Sequence, residues 1–166
     1  MILLRGNSGS GKTSTARKIR ERIGENTLLL SHDMIRMEML YTSGRTGVER
    51  SLPLMIDLLR YGRRYAEVTI LEGILHEADY RPLFDAAREE FGTEIFAYYY
   101  DLPFEETLRR HALKPNRNDF GEVEMRRWWR ERDFIGTIPE TLLGPEDGQE
   151  ETVERILAAI GESGRG

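Results

Sequence analysis

Short apolar runs alternate with longer amphipathic stretches along the chain. Five runs have the length and composition of strands, at residues 2–5, 27–30, 68–71, 94–100 and 141–143. In the stretches that follow them, apolar residues recur every three or four positions. This spacing predicts helices at residues 12–23, 34–41, 48–66, 80–91, 101–110, 122–132 and 150–160. Pro53 then falls in the first turns of the third helix, where proline is tolerated. Strands and helices in alternation predict an α/β fold with a parallel sheet.

The chain has the length and composition of one folded domain. Its 166 residues include 39% hydrophobic and 32% charged side chains, which is typical of a globular protein. Since no repeat or linker divides it, we predict a single domain at residues 1–161 and a flexible tail at 162–166. No apolar run reaches the ~20 residues of a membrane span. The apolar start is too short for a signal peptide, so we expect a cytoplasmic protein without a membrane partner.

Charge and metal-binding residue types exclude further classes of function. The net charge of −5 argues against binding of duplex nucleic acid, which requires a basic face. The absence of cysteine removes disulfides, thiol nucleophiles and cysteine-built zinc sites. His32, His76 and His111 show no metal-ligand spacing. We therefore expect no tightly bound structural metal.

The strongest chemical signal is a glycine-rich loop between the first strand and the first helix. Residues 6–13 match G-x-x-x-x-G-K-[ST] in full. Such glycines let successive backbone N–H groups point at phosphate oxygens. The lysine then reaches the β- and γ-phosphates of ATP, and the threonine hydroxyl ligates Mg²⁺. A glycine-rich turn that binds nothing is the alternative, and the full match in this context argues against it. The predicted nucleotide-binding residues are Gly6, Asn7, Ser8, Gly9, Ser10, Gly11, Lys12, Thr13 and Ser14.

Missing motifs narrow the class of nucleotide-binding protein. The chain has no N-K-x-D sequence, which argues against a GTPase. No strand ends in an adjacent pair of acidic residues, and no LSGGQ-like signature occurs, which argues against a motor or transporter ATPase. The small size and the short distance from the loop to the second strand favour a small kinase.

Two further segments resemble those of known P-loop kinases. The sequence LLLSHDMIR at residues 28–36 resembles the acceptor-site segment of polynucleotide 5′-kinases and zeta-toxin-like kinases. This resemblance implies that Asp33 accepts the proton of the attacking hydroxyl and that Arg36 holds a substrate phosphate. The sequence VTILEGIL at residues 68–75 resembles the third-strand segment of uridine kinases and zeta toxins, where the glutamate, here Glu72, faces the reaction centre.

The resemblance extends over roughly residues 1–130 and implies a fold. It is the three-layer P-loop NTPase fold, with a five-stranded parallel sheet in the order 2-3-1-4-5 and a helical lid. In open α/β sheets, sites lie at the carboxyl ends of the strands, which places the loop, Asp33 and Glu72 at one edge. We favour Asp33 as the general base and Glu72 as a ligand of magnesium or substrate. For Asp33, the alternative is a helix N-cap.

The segment after the fourth strand is predicted to form the lid, at about residues 110–130. Arg110 and Lys114 are four residues apart and share a face if the helix continues. Their spacing is similar to that of the lid cation pair of polynucleotide kinases, which implies contact with the nucleotide. Pro115 and Gly121 bracket a segment suited to a hinge.

Other basic and aromatic residues in this region are weaker candidates. Arg117 and Arg126, as well as Arg127, could contact substrate, although each alone is more typical of a solvated surface side chain. The adjacent Trp128 and Trp129 point about 100° apart on a helix, so one is expected to pack inside. The other either lines the acceptor pocket or is an ordinary half-buried tryptophan.

These observations predict an ATP- and Mg²⁺-dependent phosphotransferase that moves the γ-phosphate to a hydroxyl of a small molecule, such as a nucleoside, sugar or antibiotic-like acceptor. Two alternatives are a polynucleotide 5′-hydroxyl kinase, in which nucleic acid enters only as an oligonucleotide substrate, and a zeta-toxin-type nucleotide-sugar kinase. An alternative of another class is a nucleotide-dependent switch or ATPase module. The acceptor, the choice between ATP and GTP, and the oligomeric state stay open.

Overall fold

A parallel sheet of five strands forms the centre of the computed structural model, which describes residues 1–115 and 117–163. The strand order is β2-β3-β1-β4-β5, so the predicted order is confirmed. Each strand is short and lies within one or two residues of its predicted position. The strands are β1 at Ile2–Gly6, β2 at Thr27–Ser31, β3 at Val68–Gly73, β4 at Phe96–Tyr100 and β5 at Glu140–Leu143.

Seven α-helices connect and cover the strands in the described part of the chain. The shortest one, α2, continues directly into a π-helix at Ile35–Met39. The helices are α1 at Lys12–Ile23, α2 at His32–Met34, α3 at Gly44–Tyr65, α4 at Glu77–Phe91, α5 at Phe104–Ala112, α6 at Glu122–Trp128 and α7 at Gln149–Ser163.

The two faces of the sheet bury two separate apolar cores. Successive side chains of a strand point to opposite faces, so Leu3 belongs to one core and Ile2 and Leu4 to the other. The first core also contains Met55 of α3 and residues of α4, and the second contains residues of α1 and α7. The sheet therefore lies between two helical layers, as the sequence predicts.

Three elements differ from their predicted form. The segment predicted as a helix at 34–41 forms α2 and the π-helix. Since α3 begins at Gly44, Pro53 is its tenth residue and not part of its first turns. Pro53 has no backbone N–H, so the helix lacks one hydrogen-bond donor at this position, and the proline ring is exposed to solvent. The helix predicted at 122–132 ends at Trp128, because Trp129 already has extended backbone angles.

The last helix, α7, extends beyond its predicted end. Glu162 and Ser163, predicted to belong to the flexible tail, lie in α7. Residues 164–166 of that predicted tail lie outside the described residues. No helix in the described ranges is both long and apolar enough to cross a membrane.

A buried arginine on β1 fixes the segment that leads to β5. The side chain of Arg5 has no exposed surface and forms ion pairs of 2.8 Å with Asp133 and Glu140. Its Nε and Nη2 atoms also donate to the carbonyl oxygen of Leu75. A buried charge requires such partners, and here they anchor Asp133 and Glu140 to the strand that leads into the glycine-rich loop.

Candidate active site

The sheet register brings the predicted chemical groups to one edge. Glu72 of β3 is paired with Leu4 of β1 and with Ser31 of β2. The glycine-rich loop follows β1, and Asp33 follows β2 by two residues. The carboxyl ends of three neighbouring parallel strands therefore carry the loop, Glu72 and Asp33, as predicted from the rule for open α/β sheets.

Glycines shape the loop because its backbone is both left-handed and crowded. Gly9 has φ +82° and Gly11 has φ +103°. A Cβ atom on Gly9 would lie 2.5 Å from the carbonyl oxygen of Thr107 in α5. The loop thus packs directly against a helix that only a glycine can approach this closely.

Lys12 is the buried cation of the loop. Its side chain is nearly inaccessible, and Nζ donates to the carbonyl oxygen of Asn7 over 3.1 Å. Burial lowers the pKa of Lys12, while the negative charges of Glu72 and Asp33 oppose that shift. Two carboxylates therefore support the charge of the ammonium group where phosphates are expected to bind.

Side chains of the loop tie it to distant parts of the chain. The Asn7 amide donates to the carbonyl oxygen of Arg130 over 2.7 Å and accepts from its backbone N–H over 3.0 Å. The Ser14 hydroxyl donates to the Gly11 carbonyl oxygen and accepts from Gln149. Neither Arg130 nor Gln149 is recognisable from the sequence as part of the site, because each is more than 120 residues away.

Glu72 connects the loop with the second strand. Its side chain is buried, and its two oxygens accept separate hydrogen bonds, from the Thr13 hydroxyl over 3.0 Å and from the Ser31 hydroxyl over 2.5 Å. Hydroxyl and carboxylate oxygens are ligands that Mg²⁺ prefers, and Mg²⁺ commonly uses only one or two protein ligands beside phosphates and water. Within residues 1–115 and 117–163, no three His, Cys, Asp or Glu side chains are grouped to hold a metal. The Thr13–Glu72 pair therefore fits a nucleotide-bound Mg²⁺ and not a metal held by protein alone.

Asp33 differs from Glu72 in its exposure. About 74% of its side chain is exposed, and Oδ1 lies 3.8 Å from the Nδ1 atom of the His32 ring. Asp33 is not the N-cap of α2, because the helix begins at His32 and its N-cap is Ser31. Its carboxylate is thus available to a molecule that approaches the edge of the sheet.

Two cations of the predicted lid lie beside the loop. Arg110 donates to the carbonyl oxygen of Ser10 over 2.9 Å and to Glu106 over 2.6 Å. Burial lowers the pKa of Lys114, and the charge of Lys12 lowers it further, whereas Glu72 and Asp33 raise it. The ammonium group of Lys114 therefore lies within electrostatic reach of both carboxylates.

The remaining predicted arginines are engaged elsewhere or exposed. Arg36 donates to the Gly44 carbonyl oxygen over 3.3 Å. Arg126 pairs with Glu122 over 2.7 Å and stacks 4.2 Å above the ring of Phe104. Arg117 is exposed. The charge of Arg36 nevertheless acts on the ring of His32, next to Asp33, whereas Arg126 is held by Glu122 and Phe104.

The two tryptophans have different surroundings, and only Trp128 lies on the helix predicted to carry both. Trp129 packs edge-to-face on Phe104, with ring centroids 5.1 Å apart. Trp128 is 37% exposed and touches Phe120. Neither contact places a tryptophan beside Asp33.

Sheet order, loop and carboxylates together define the P-loop kinase fold. A family model described as an AAA domain, AAA_33, matches residues 1–135, and the chain belongs to this family. A search of curated proteins gave no significant match.

Solved structures with this fold include several small kinases. A gluconokinase from Sinorhizobium meliloti 1021 is 17% identical with a TM-score of 0.62, over 97% of this chain and 91% of that one. The Mycobacterium tuberculosis APS kinase, solved with AMPPNP and APS, is 18% identical with a TM-score of 0.64, over 96% of each chain. The tunicamycin resistance protein of Deinococcus radiodurans is 21% identical with a TM-score of 0.64, over 96% of this chain and 94% of that one. At these identities the likeness establishes the fold.

Proposed function

We propose that this protein is an ATP- and Mg²⁺-dependent phosphotransferase that transfers the γ-phosphate to a hydroxyl group of a small molecule. One observation carries the proposal. A buried lysine, a hydrogen-bonded Thr13–Glu72 pair and the exposed carboxylate of Asp33 lie at a single sheet edge. A hydrolysing switch has no need of the second carboxylate.

The donor side would bind the triphosphate. The backbone N–H groups of the loop and the positive end of α1 attract phosphate oxygens. Lys12, Arg110 and Lys114 supply positive charge, which stabilises the charge that develops during transfer. Thr13 and Glu72 would hold Mg²⁺, which neutralises phosphate charge when it is bound.

The acceptor side would align the hydroxyl and take its proton. Both oxygens of Glu72 already accept hydrogen bonds, whereas Asp33 lies free at the mouth of the site, so Asp33 is the better general base. In the reaction, the acceptor oxygen forms a bond to the γ-phosphorus while the bond to the β,γ-bridging oxygen breaks. The acceptor proton moves to Asp33, and ADP leaves.

The surroundings of Asp33 favour a small acceptor. The following segment exposes the apolar side chains of Met34, Met37 and Met39, and it carries no group of free cations for a nucleic-acid backbone among the described residues. A gluconokinase and an APS kinase share the fold. An RNA-repair complex that shares the fold is 19% identical and is matched over 41% of its chain. We place the activity in the cytoplasm, where ATP is supplied.

Acceptor profiling with γ-labelled ATP and Mg²⁺ tests the proposal. The panel contains nucleosides, sugars, aminoglycosides and 5′-hydroxyl oligonucleotides. We expect label on one class of acceptor and a loss of about 10²–10⁴-fold in Asp33→Asn, the range that a general base contributes. Lys12→Ala should abolish transfer, and Asp57→Asn, an exposed carboxylate on α3, is the matched control.

Two outcomes would contradict it. Free phosphate released at a rate that no acceptor and no Asp33 substitution changes would favour the switch. Salt-sensitive labelling of oligonucleotides alone would favour the polynucleotide kinase.

A further inference from the structure

The residue before Asp33 is a buried histidine with a defined partner on one side only. The Nε2 atom of His32 lies 2.6 Å from the Tyr80 hydroxyl, which in turn lies 3.3 Å from the Ser51 hydroxyl. The rings of His32 and Tyr80 pack edge-to-face, with their centroids 4.9 Å apart. Gly73 makes room for this arrangement, since a Cβ atom there would lie 2.5 Å from Cβ of His32. Ser51, Tyr80 and His32 thus form a buried chain of polar groups that leads from α3 and α4 to Asp33.

The other ring nitrogen faces the proposed base. Nδ1 of His32 is buried, has no hydrogen-bond partner in the described part of the chain, and lies 3.8 Å from Oδ1 of Asp33. A distance of 3.8 Å is too long for a hydrogen bond. Since most of the Asp33 side chain is exposed, rotation of its carboxylate can shorten the distance, and catalytic hydrogen bonds commonly tighten only when substrate binds.

Electrostatics selects one protonation pattern for the ring. Burial lowers the pKa of His32 to about 4, with Asp33 opposing the shift and Arg36, Lys12 and His76 adding to it. The ring is therefore neutral at pH 7 and carries one proton. An unprotonated Nδ1 would direct its lone pair at the negatively charged carboxylate of Asp33, which is unfavourable. A protonated Nδ1 attracts that carboxylate, so the proton of the neutral ring is expected on Nδ1. The Tyr80 hydroxyl then donates to Nε2 and accepts from Ser51.

We propose that His32 is a positioning residue that holds Asp33 through its Nδ1–H, with Tyr80 and Ser51 fixing the tautomer. One oxygen of the carboxylate accepts from Nδ1–H, and the other oxygen remains for the acceptor hydroxyl. This inference rests on the proposed function for its catalytic consequence, while its structural part, the tautomer, is independent of any acceptor.

Nitrogen-15 NMR of the imidazole rings tests the structural part without substrate. The chain has three histidines, so the His32 signals are assigned by comparison with His32→Gln. We expect the Nδ1–H tautomer at pH 7, a change in its Nδ1 shift in Asp33→Asn, and a mixture of tautomers in Tyr80→Phe. A pure Nε2–H tautomer in the unmodified protein would overturn the proposal, as would an Nδ1 shift that is insensitive to Asp33→Asn.

A matched pair of substitutions tests the catalytic part. Asparagine places an N–H near the position of Nδ1, and glutamine places one near Nε2. His32→Asn should therefore retain most of kcat, whereas His32→Gln should lose about tenfold, a fraction of the 10²–10⁴ that a general base contributes, with KM for ATP unchanged in both. Equal losses in the two variants, at equal thermal stability, would assign His32 a purely structural role.

The outcomes for the two proposals are distinguishable. If Asp33→Asn leaves transfer intact while the Nδ1–H tautomer is present, Asp33 is not the base and the proposed function fails at that residue. If Asp33→Asn abolishes transfer while His32 is an Nε2–H tautomer, the proposed function stands and the positioning role falls.

Discussion

The donor and acceptor sides of the site are built in opposite ways. The loop on the donor side is largely buried, Lys12 and Arg110 donate to its backbone carbonyl oxygens, and its Asn7 side chain bonds the backbone of Arg130. The acceptor segment after Asp33, residues 34–41, contains the π-helix at Ile35–Met39 and exposes most of its side chains. Met37 in this helix is 54% accessible, and Tyr41 beyond it is 91% accessible. The wide turn of a π-helix is rare in proteins and is frequent at functional sites.

This contrast follows from what each side has to recognise. A triphosphate has the same shape in every reaction, so a rigid cradle that needs no rearrangement stabilises transfer best. An acceptor differs from one kinase to the next, and exposed methionines adapt their shape to different partners. We therefore expect substitutions on the donor side to affect stability together with catalysis, and those on the acceptor side to affect selectivity.

The largest difference should appear between two left-handed glycines. Gly9 of the loop has φ +82°, and Gly44 at the start of α3 has φ +59°. Gly9→Ala would bring a Cβ into the backbone of Thr107, whereas a Cβ on Gly44 has no neighbour within 4 Å. We expect Gly9→Ala to lower the free energy of unfolding by about 3 kcal/mol and Gly44→Ala by about 1 kcal/mol, as urea denaturation measures. Equal losses of unfolding free energy in Gly9→Ala and Gly44→Ala would show that the glycine-rich loop is no more rigid than the start of α3.

Acid should lower the free energy of unfolding through His32, the buried residue before the acceptor segment. The pKa of His32 is about 4 in the folded protein, against an ordinary value of 6.5, because burial disfavours its charged form. As the pH falls, the unfolded chain binds the proton before the folded protein does. The contribution of His32 to the free energy of unfolding is therefore fully present above pH 6.5 and is lost as the pH falls toward 4. The loss amounts to about 3 kcal/mol.

Denaturation curves at several pH values check this. His32→Gln should show a flatter dependence of the free energy of unfolding between pH 6.5 and 4 than the unmodified protein. A dependence as steep as before would assign the acid sensitivity to other groups.

An intermediate effect is expected where the two sides meet, at Glu72. Glu72→Gln keeps oxygen and nitrogen atoms near Thr13 and Ser31 but removes the charge that Mg²⁺ needs. Calorimetric binding of ATP should require about tenfold more Mg²⁺, equivalent to about 1.4 kcal/mol. Glu67→Gln, which changes an exposed carboxylate just before β3, is the control. An unchanged magnesium requirement would remove Glu72 from the metal site.

The smallest effect should occur at the exposed end of the acceptor segment. Met37→Ala should raise KM for the acceptor about fivefold, or about 1 kcal/mol, and leave KM for ATP unchanged. Its effect on the free energy of unfolding should stay within about 0.5 kcal/mol, as for other exposed positions. Tyr65→Ala, which changes an exposed side chain at the end of α3, should leave KM for the acceptor and KM for ATP unchanged. A larger change in KM for ATP than for the acceptor would contradict the division of the site.

The same contrast explains how much could be predicted from the sequence. The loop follows from local pattern, since its motif is complete and lies between a strand and a helix, while the order of the strands follows from the resemblance to P-loop kinases. The meeting of Asp33 and Glu72 at one edge follows from parallel strands alone. These predictions need no knowledge of distant contacts.

What the sequence did not reveal depends on partners far along the chain. Arg5 appears in the sequence as the end of a strand, but it is buried because Asp133 and Glu140, more than 120 residues away, neutralise it. The helix predicted to reach residue 132 ends at Trp128, where Asn7 pairs with the backbone of Arg130 instead. His32 could not be assigned because Tyr80, its partner, lies on another element.

The two hydrogen bonds between Asn7 and Arg130 also limit which part of the chain can move relative to the glycine-rich loop. The backbone of Arg130 is tied to the glycine-rich loop, so a movement of α6 has to pivot ahead of this residue. The two tryptophans of the chain lie at that boundary, with Trp129 packed on Phe104 and Trp128 partly exposed at the end of α6. Intrinsic fluorescence would thus report such a movement from Trp128 against a stationary background from Trp129, without an added label.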